Sequence, residues 1–277
     1  MQFTKYNGLG NDFVFVNTFK HPVQDPFRAA KILCDRRRGV GADGLILIGP
    51  SAVNDVRMRV INADGSEAQM CGNASRCVPF FVREQGILDK NELTLETLAG
   101  PIFTKIVDEA KGLVTVDMGI PRLLRGQIPM TGDPAECAID IPLQMPAEVV
   151  YGTAVSMGNP HFVMFGPDAE HVPVEVYGPQ VENHPMFPQK TNVEFVTVLD
   201  KNTVRMRVWE RGAGITQACG TGACASVVAA VISGKTNRHV TVKLDGGALQ
   251  IDWPEQTHIF MTGPAEKTFT GTWEKPL

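Results

Sequence analysis

No stretch of the 277-residue sequence approaches the run of about 18 apolar residues that a membrane-spanning helix needs, so no span is expected. The opening MQFTKYNGLGNDFVFVN has no basic segment followed by an apolar core, and so does not read as a secretory signal. Six cysteines, at positions 34, 71, 77, 137, 219 and 224, come without CxxC pairs or histidines at zinc-ligand spacing. No metal is therefore expected. Without an export signal their disulfide use is disfavoured too, which points to reduced thiols in the cytoplasm. An excess of one charge is also missing: 26 Lys and Arg stand against 30 Asp and Glu, a net charge of -4. That balance leaves no electrostatic footprint for nucleic acid, though a small zwitterionic ligand needs only a few local groups. The short run Arg36-Arg37-Arg38 reads as a solvated helix end. GVGADG at Gly39 to Gly44 matches the dinucleotide string GxGxxG, but it lies between an apparent helix and the strand LILIG. The fingerprint requires strand and then helix, so a nucleotide site is rejected.

What the sequence does have is repetition. VRMRV occurs at Val56 to Val60 and again at Val204 to Val208, and eleven residues after each copy stands Cys-Gly, at Cys71-Gly72 and Cys219-Gly220. One offset of 148 relates these, and it also carries Gly10-Asn11 onto Gly158-Asn159 and Gln69 onto Gln217. Between positions 56 and 72, eight of seventeen residues are identical at that offset, far above the one that chance supplies. The halves are diverged copies of one unit.

Each copy opens on a strand-like segment, FVFVN or HFVMF. VRMRV alternates apolar and basic residues at period two, a strand with Val and Met on one face. A glycine-bearing turn follows, and a helix then runs from Cys-Gly to Gly86 or Gly234, where glycine suits the left-handed position past a helix end. Pro79 falls inside the first helix and is expected to kink it. Strands LTLET and LVTVDM, or VTVKL and HIFMT, close the unit. The expected fold class is α+β: two pseudo-symmetric domains from an internal duplication, each a strand-rich unit around one principal helix. The first spans 1–120, joined by the tail 266–277, and the second spans 121–265, with the proline-bearing segment 121–148 as connector.

A cysteine at a helix N-terminus meets the positive end of the helix dipole, which favours its thiolate, and free N–H groups able to hold a carboxylate. One such cysteine more often simply packs. A pair at equivalent positions of a duplicated fold, facing one cleft across a pseudo-twofold axis, suits inversion of a hydrogen-bearing stereocentre. One group removes the proton from one face as the other delivers a proton to the opposite face. The two helix ends would steady the carbanion beside its carboxylate. Three other readings remain beside it: a Cys71–Cys219 disulfide, a thiol hydrolase using His161, and a metal site. A duplicated binding protein without chemistry is the non-enzyme alternative.

A substrate with unlike ends should break the symmetry of such a site. Asn62-Ala63 is matched by Glu210-Arg211, where Arg211 suits a carboxylate and Glu210 an ammonium group. Phe13 is matched by His161. Asn11, Asn62, Asn159 and Asn192 recur at equivalent or nearby loop positions, as amide donors and acceptors or as ordinary turn formers.

The strings NADGSEAQMCGN, GNPHFV, NVEF and ERGAGITQACGTGACA, in this order and spacing, resemble diaminopimelate epimerase over most of the chain. The resemblance implies a cofactor-independent, usually dimeric enzyme that interconverts LL- and meso-diaminopimelate on the route to lysine and peptidoglycan. By its motifs, Cys71 and Cys219 are the acid–base pair, and Gly72-Asn73 with Gly220-Thr221 hold the reacting carboxylate. Asn11, Asn62, Asn159, Asn192, Glu210 and Arg211 bind substrate, while His161 and Glu210 tune the thiols. Departures are Ala74-Ser75 after MCGN, Pro79, Gly44 in place of a substrate-reaching glutamine, and Phe269 in place of a dimer-contact tyrosine.

Overall fold

The computed structural model describes residues 1–277, the side chain of Gln256 excepted. It divides into two compact units: Met1–Asp117 with Thr262–Leu277, and Met118–Met261.

The first unit runs β1 (Gln2–Gly8), β2 (Asn11–Asn17), α1 (Pro26–Leu33), β3 (Gly44–Gly49), β4 (Val56–Asn62), β5 (Glu67–Ala68), α2 (Gly72–Glu84), β6 (Glu92–Thr97), β7 (Gly100–Asp108) and β8 (Leu113–Asp117). The segment 121–148, which reads as a connector, holds one turn of 3-10 helix at Arg125–Gln127 and ends in β9 (Ile141–Gln144). The second unit repeats the first: β10 (Val149–Ser156), β11 (Pro160–Phe165), α3 (Val174–Glu182), β12 (Asn192–Asp200), β13 (Thr203–Glu210), β14 (Gly214–Ile215), α4 (Gly220–Ile232), β15 (His239–Leu244) and β16 (Gly247–Asp252), and the boundary at Thr262 falls within β17 (Phe260–Pro264). β18 (Glu266–Thr272) then returns to the first unit.

Strand pairing is duplicated as well. β1–β2 is antiparallel, β2–β3 parallel, β3–β4 antiparallel and β4–β6 parallel. β10–β11, β11–β12, β12–β13 and β13–β15 follow the same sequence of directions. The copies differ at their first strand, where β18 flanks β1 and β9 flanks β10.

Burial of both sheet faces explains why β2 and β3 read as nearly unbroken apolar runs. On β2, Val14 and Val16 join Ala29, Ala30 and Leu33 of α1 in one cluster. The opposite face presents Phe15, whose ring packs on Phe81 of α2 at 5.3 Å between centroids. Burying each such ring contributes about 1.5–3 kcal/mol. In the second unit Phe162, Val193 and Phe195 join Val174 and Val181 of α3. Period two therefore sends His161 on β11, and Asn192 and Glu194 on β12, to the face against which α4 packs.

Both VRMRV segments fold as read. Val56, Met58, Val60 and Val204, Met206, Val208 are buried, and the arginines turn to the other face. There Arg59 makes a bidentate pair with Glu67 at 2.8 and 3.0 Å, and Arg205 pairs with Glu170 at 2.7 Å.

The two main helices are 13 residues each and share one way of ending. Gly86 and Gly234 adopt φ of 64° and 67°. The amides of Ile87 and Lys235 reach back to Val82 and Ala230 at 3.0 and 2.8 Å, a Schellman closure in both copies. Pro79 lies inside α2, which is continuous from Gly72 to Glu84. A proline in the second turn costs one intrahelical bond, and the neighbouring turns remain packed on the sheet.

Candidate active site

Cys71 and Cys219 occupy the same structural position, the residue that caps α2 and α4. Both are extended, at φ -141°, ψ 113° and φ -124°, ψ 109°. Their carbonyls accept the first helical hydrogen bonds, from Ser75 and Ala223, each at 2.9 Å. The thiols thus sit where a helix leaves its first N–H groups unsatisfied by backbone.

In the first unit, Cys71 is half-buried and its Sγ lies 4.0 Å from Asn11 Oδ1. Asn73 Nδ2 donates to the same oxygen at 3.3 Å, and Arg76 donates to Asn73 Oδ1 at 2.9 Å. Asn11 is held from behind, since its Nδ2 donates to Asp43 Oδ2 at 2.7 Å. Arg36 bridges Asp43 at 2.6 Å and Asp12 at 2.7 Å, and Lys5 pairs with Asp12 at 2.6 Å. Arg36, Arg37 and Arg38 are exposed past the end of α1, as read, and Arg36 in addition pairs with carboxylates. α1 stops at Leu33, and the following turns bring the guanidinium onto two carboxylates. The GVGADG string gains a use by the same geometry. Gly41, at φ 81°, turns the chain so that its carbonyl meets Lys5 and Asp43 meets Asn11.

Burial opposes the Asp12 carboxylate, but Arg36 and Lys5 outweigh it and hold its pKa at about 2. A carboxylate depressed from the ordinary 3.8 stabilises the fold fully above that value and loses its contribution as pH falls toward about 2. The difference in urea-unfolding stability between the wild type and Asp12→Asn is therefore expected to be constant near neutrality. It should shrink over that acid window. A difference independent of pH would contradict the network.

Gly44 opens β3 opposite Phe13. A Cβ there would stand 3.1 Å from the Ile61 carbonyl, so no side chain extends from this position. Asn62 ends β4 and donates to Ser66 Oγ at 2.9 Å.

In the second unit, Cys219 is buried, and its sulfur accepts from the Gly222 amide at 3.4 Å and lies 3.5 Å from Thr221 Oγ1. Asn159 Nδ2 donates to that hydroxyl at 3.3 Å. Asn159 Oδ1 lies 3.0 Å from His161 Nε2, and His161 Nδ1 lies 2.6 Å from Glu194 Oε1. Asn192 anchors the loop after β13, accepting from the Arg211 amide at 2.8 Å and donating to the Pro160 carbonyl at 2.9 Å. Glu182 steadies the same loop, accepting from Trp209 Nε1 at 2.7 Å and from the Gly212 amide at 3.1 Å. Arg211 itself is exposed and donates to the Gln189 carbonyl at 2.9 Å, while Glu210 accepts from the Thr216 hydroxyl.

The helix end does not lower the pKa of Cys219 as the sequence suggests. Burial pushes this thiol well above its ordinary value, and the charges of Glu210 and Glu194 push the same way. The Gly222 amide and Thr221 pull it down without prevailing. Cys219 is therefore a thiol at neutral pH. Burial likewise raises Cys34 and Cys77 to about 12, so neither competes as a nucleophile.

Of the residues read from the sequence, the structure brings Asn11 and Asn73 to Cys71 in one unit, and Thr221, Asn159 and His161 to the Cys219 end in the other, while Asn62, Asn192 and Arg211 donate to Ser66, Pro160 and Gln189. The sequence reading misses Glu194, and Asp12, Arg36 and Asp43 behind Asn11. Glu194 was readable in principle: an acidic residue within the apolar strand NVEFV at a position that alternation buries. Among the described residues, no three His, Cys, Asp or Glu side chains converge as metal ligands would, and no helix is long and apolar enough to cross a membrane.

The sequence profile of the diaminopimelate epimerase family matches residues 3–124 and 153–268. The diaminopimelate epimerase of Pelotomaculum thermopropionicum is 53% identical over 276 residues, covering 98% of each chain. That of Heliobacterium modesticaldum is 51% identical over 284 residues, covering 100% of each. Among solved structures, a probable proline racemase from Agrobacterium radiobacter aligns with a TM-score of 0.71 at 15% identity, over 99% of this chain and 92% of that one. This last likeness concerns the fold alone.

Proposed function

This chain belongs to the diaminopimelate epimerase family, and from that premise we propose that it interconverts LL- and meso-diaminopimelate by proton transfer at the α-carbon. One observation carries the proposal: two thiols cap two equivalent 13-residue helices in a duplicated unit. Inversion requires an acid and a base on opposite faces of one carbon, with the roles exchanged in the reverse direction. Cys71 and Cys219 are that pair, one removing the proton and the other delivering one, and burial keeps Cys219 in the protonated form that delivers. The amides at Gly72-Asn73 and Gly220-Thr221 then stabilise the charge that develops on the substrate carboxylate.

The remaining assignments follow from chemistry. Asn11 and Asn159 present amides beside the two thiols. Asn62, Asn192, Glu210 and Arg211 receive the distal amino-acid end, with Arg211 for its carboxylate and Glu210 for its ammonium group. His161 and Glu210 set the electrostatics of the thiols. The reaction needs no pyridoxal phosphate and no metal in this reading. The enzyme acts as a cytoplasmic homodimer supplying meso-diaminopimelate for lysine and peptidoglycan synthesis.

The test is direct. Purified protein in reducing buffer, with no cofactor added, is given LL-diaminopimelate, and the stereoisomers are resolved by chiral chromatography. The meso isomer should accumulate to equilibrium. An unchanged LL pool would refute the proposal.

A further inference from the structure

Glu194 lies on the face of the second sheet against which α4 packs, and it has no counterpart in the first unit. At the 148 offset it corresponds to Ile46, and its partner His161 corresponds to Phe13. Both of those residues are buried and apolar. The second unit has thus exchanged an ordinary core pair for a buried acid and a buried imidazole, each with a fully buried side chain. Such an exchange costs stability unless the groups satisfy one another, and here they do so at 2.6 Å. Among the described residues, Glu194 Oε2 has no hydrogen-bond partner, so the carboxyl group is spent on His161.

The proton count of the pair has one consistent outcome at the far nitrogen. Nε2 faces the acceptor Asn159 Oδ1, while the Asn159 amide nitrogen is committed to Thr221. With the Asn159 amide in this orientation, Nε2 carries a proton. One proton lies between Nδ1 and Oε1 at the 2.6 Å separation, whichever atom holds it. Burial pushes the Glu194 carboxyl group up from its ordinary range, and His161 pulls it back. The packing is close as well: a Cβ on Gly222 would lie 2.7 Å from Glu194 Oε1 and 3.3 Å from Cys219 Sγ. Glycine at 222 is what lets the carboxyl group, the helix start and the thiol occupy one place.

We propose that Glu194 is a positioning residue for the epimerisation: through His161 it fixes which face of the Asn159 amide points toward Thr221 and Cys219. The chain of contacts Glu194, His161, Asn159, Thr221, Cys219 is continuous within the second unit. The first unit orients Asn11 beside Cys71 by a different device, the ion pairs of Asp43, Arg36 and Asp12. The inference rests on the proposed function, because Asn159 matters to the reaction only if substrate lies against it.

Two measurements separate the inference from that premise. In the substrate-free protein, long-range proton–nitrogen spectra of 15N-histidine samples should show His161 protonated at Nε2, with Nδ1 at the intermediate shift of a shared proton. Glu194→Ile, which installs the residue found at position 46, should abolish the intermediate shift and release the tautomer preference. With diaminopimelate, Glu194→Ile should lower kcat about 10- to 100-fold, as for other partners that orient a histidine from behind. KM should change by a smaller factor. Glu194→Gln should recover part of kcat. The double variant His161→Phe with Glu194→Ile, which copies the Phe13–Ile46 pair, should be no slower than His161→Phe alone. An unaltered imidazole spectrum, an unaltered kcat, or a double variant slower than the single one would overturn the proposal. If Glu194→Ile fails to fold, the spectrum and kcat of Glu194→Gln decide it. Wild-type protein inactive on diaminopimelate but with the shared-proton signature would sink the function and leave the geometry standing.

Discussion

Alanine at position 219 is expected to lower epimerisation about 10²- to 10⁴-fold, the usual worth of a positioned acid or base. Alanine at position 71 should cost as much, because each direction of the reaction uses both groups. The double variant should be little worse than either single one, since a proton relay fails when one member is missing. Serine in place of either cysteine should not restore the rate, its hydroxyl being a far weaker acid than a thiol. Because the two cysteines sit in unlike surroundings, alkylation should tell them apart. Cys219 is buried and raised by two carboxylates, so iodoacetamide at neutral pH should label Cys71 first. Peptide-resolved mass spectrometry reads this, and preferential labelling of Cys219 would contradict the assigned protonation states.

The largest effect on stability is expected at Arg76. Its side chain is fully buried on α2, donating to Asn73 Oδ1 at 2.9 Å and to the Pro264 carbonyl at 3.0 Å. Arg76→Met keeps much of the packing volume but leaves both oxygens without this donor. Losing such donors from buried acceptors costs about 2–4 kcal/mol together. The consequence reaches the site, because Asn73 also donates to the oxygen of Asn11 that lies beside Cys71. Thermal unfolding should show a clear drop in midpoint, and kcat should fall even at temperatures where the variant is fully folded. A stable variant with full activity would mean that Arg76 supports neither.

Much of the fold was legible because the duplication is written in register. The identical residues around VRMRV and Cys-Gly place both main helices at one offset, and α2 and α4 obey it to the residue. Alternation correctly assigned the faces of β4 and β13. β9 and α3 were not legible, since each depends on tertiary packing rather than local pattern. The cysteines and asparagines of the candidate site were readable from the repeat together with its asymmetries. The groups behind them were not. Arg36 and Asp43 are seven residues apart in a loop, and only the fold brings them to Asp12 and Asn11. The protonation of Cys219 also escaped the sequence, because a helix N-terminus alone argues for a thiolate. Glu194, which argues the other way, lies on another strand, while Glu210, nine residues before Cys219, reads only as a residue that tunes the thiols.

The central claim is that two thiols exchange protons at one α-carbon, and deuterium incorporation tests it most directly. LL-diaminopimelate is incubated with the wild type in D2O under reducing conditions, with proline as a control, and α-deuteration is followed by NMR. Deuterium should enter the α-position of diaminopimelate as the meso isomer forms and leave proline untouched, and with Cys71→Ala or Cys219→Ala neither deuterium uptake nor the meso isomer should appear. Epimerisation without deuterium uptake, or full exchange in either alanine variant, would contradict the two-thiol account.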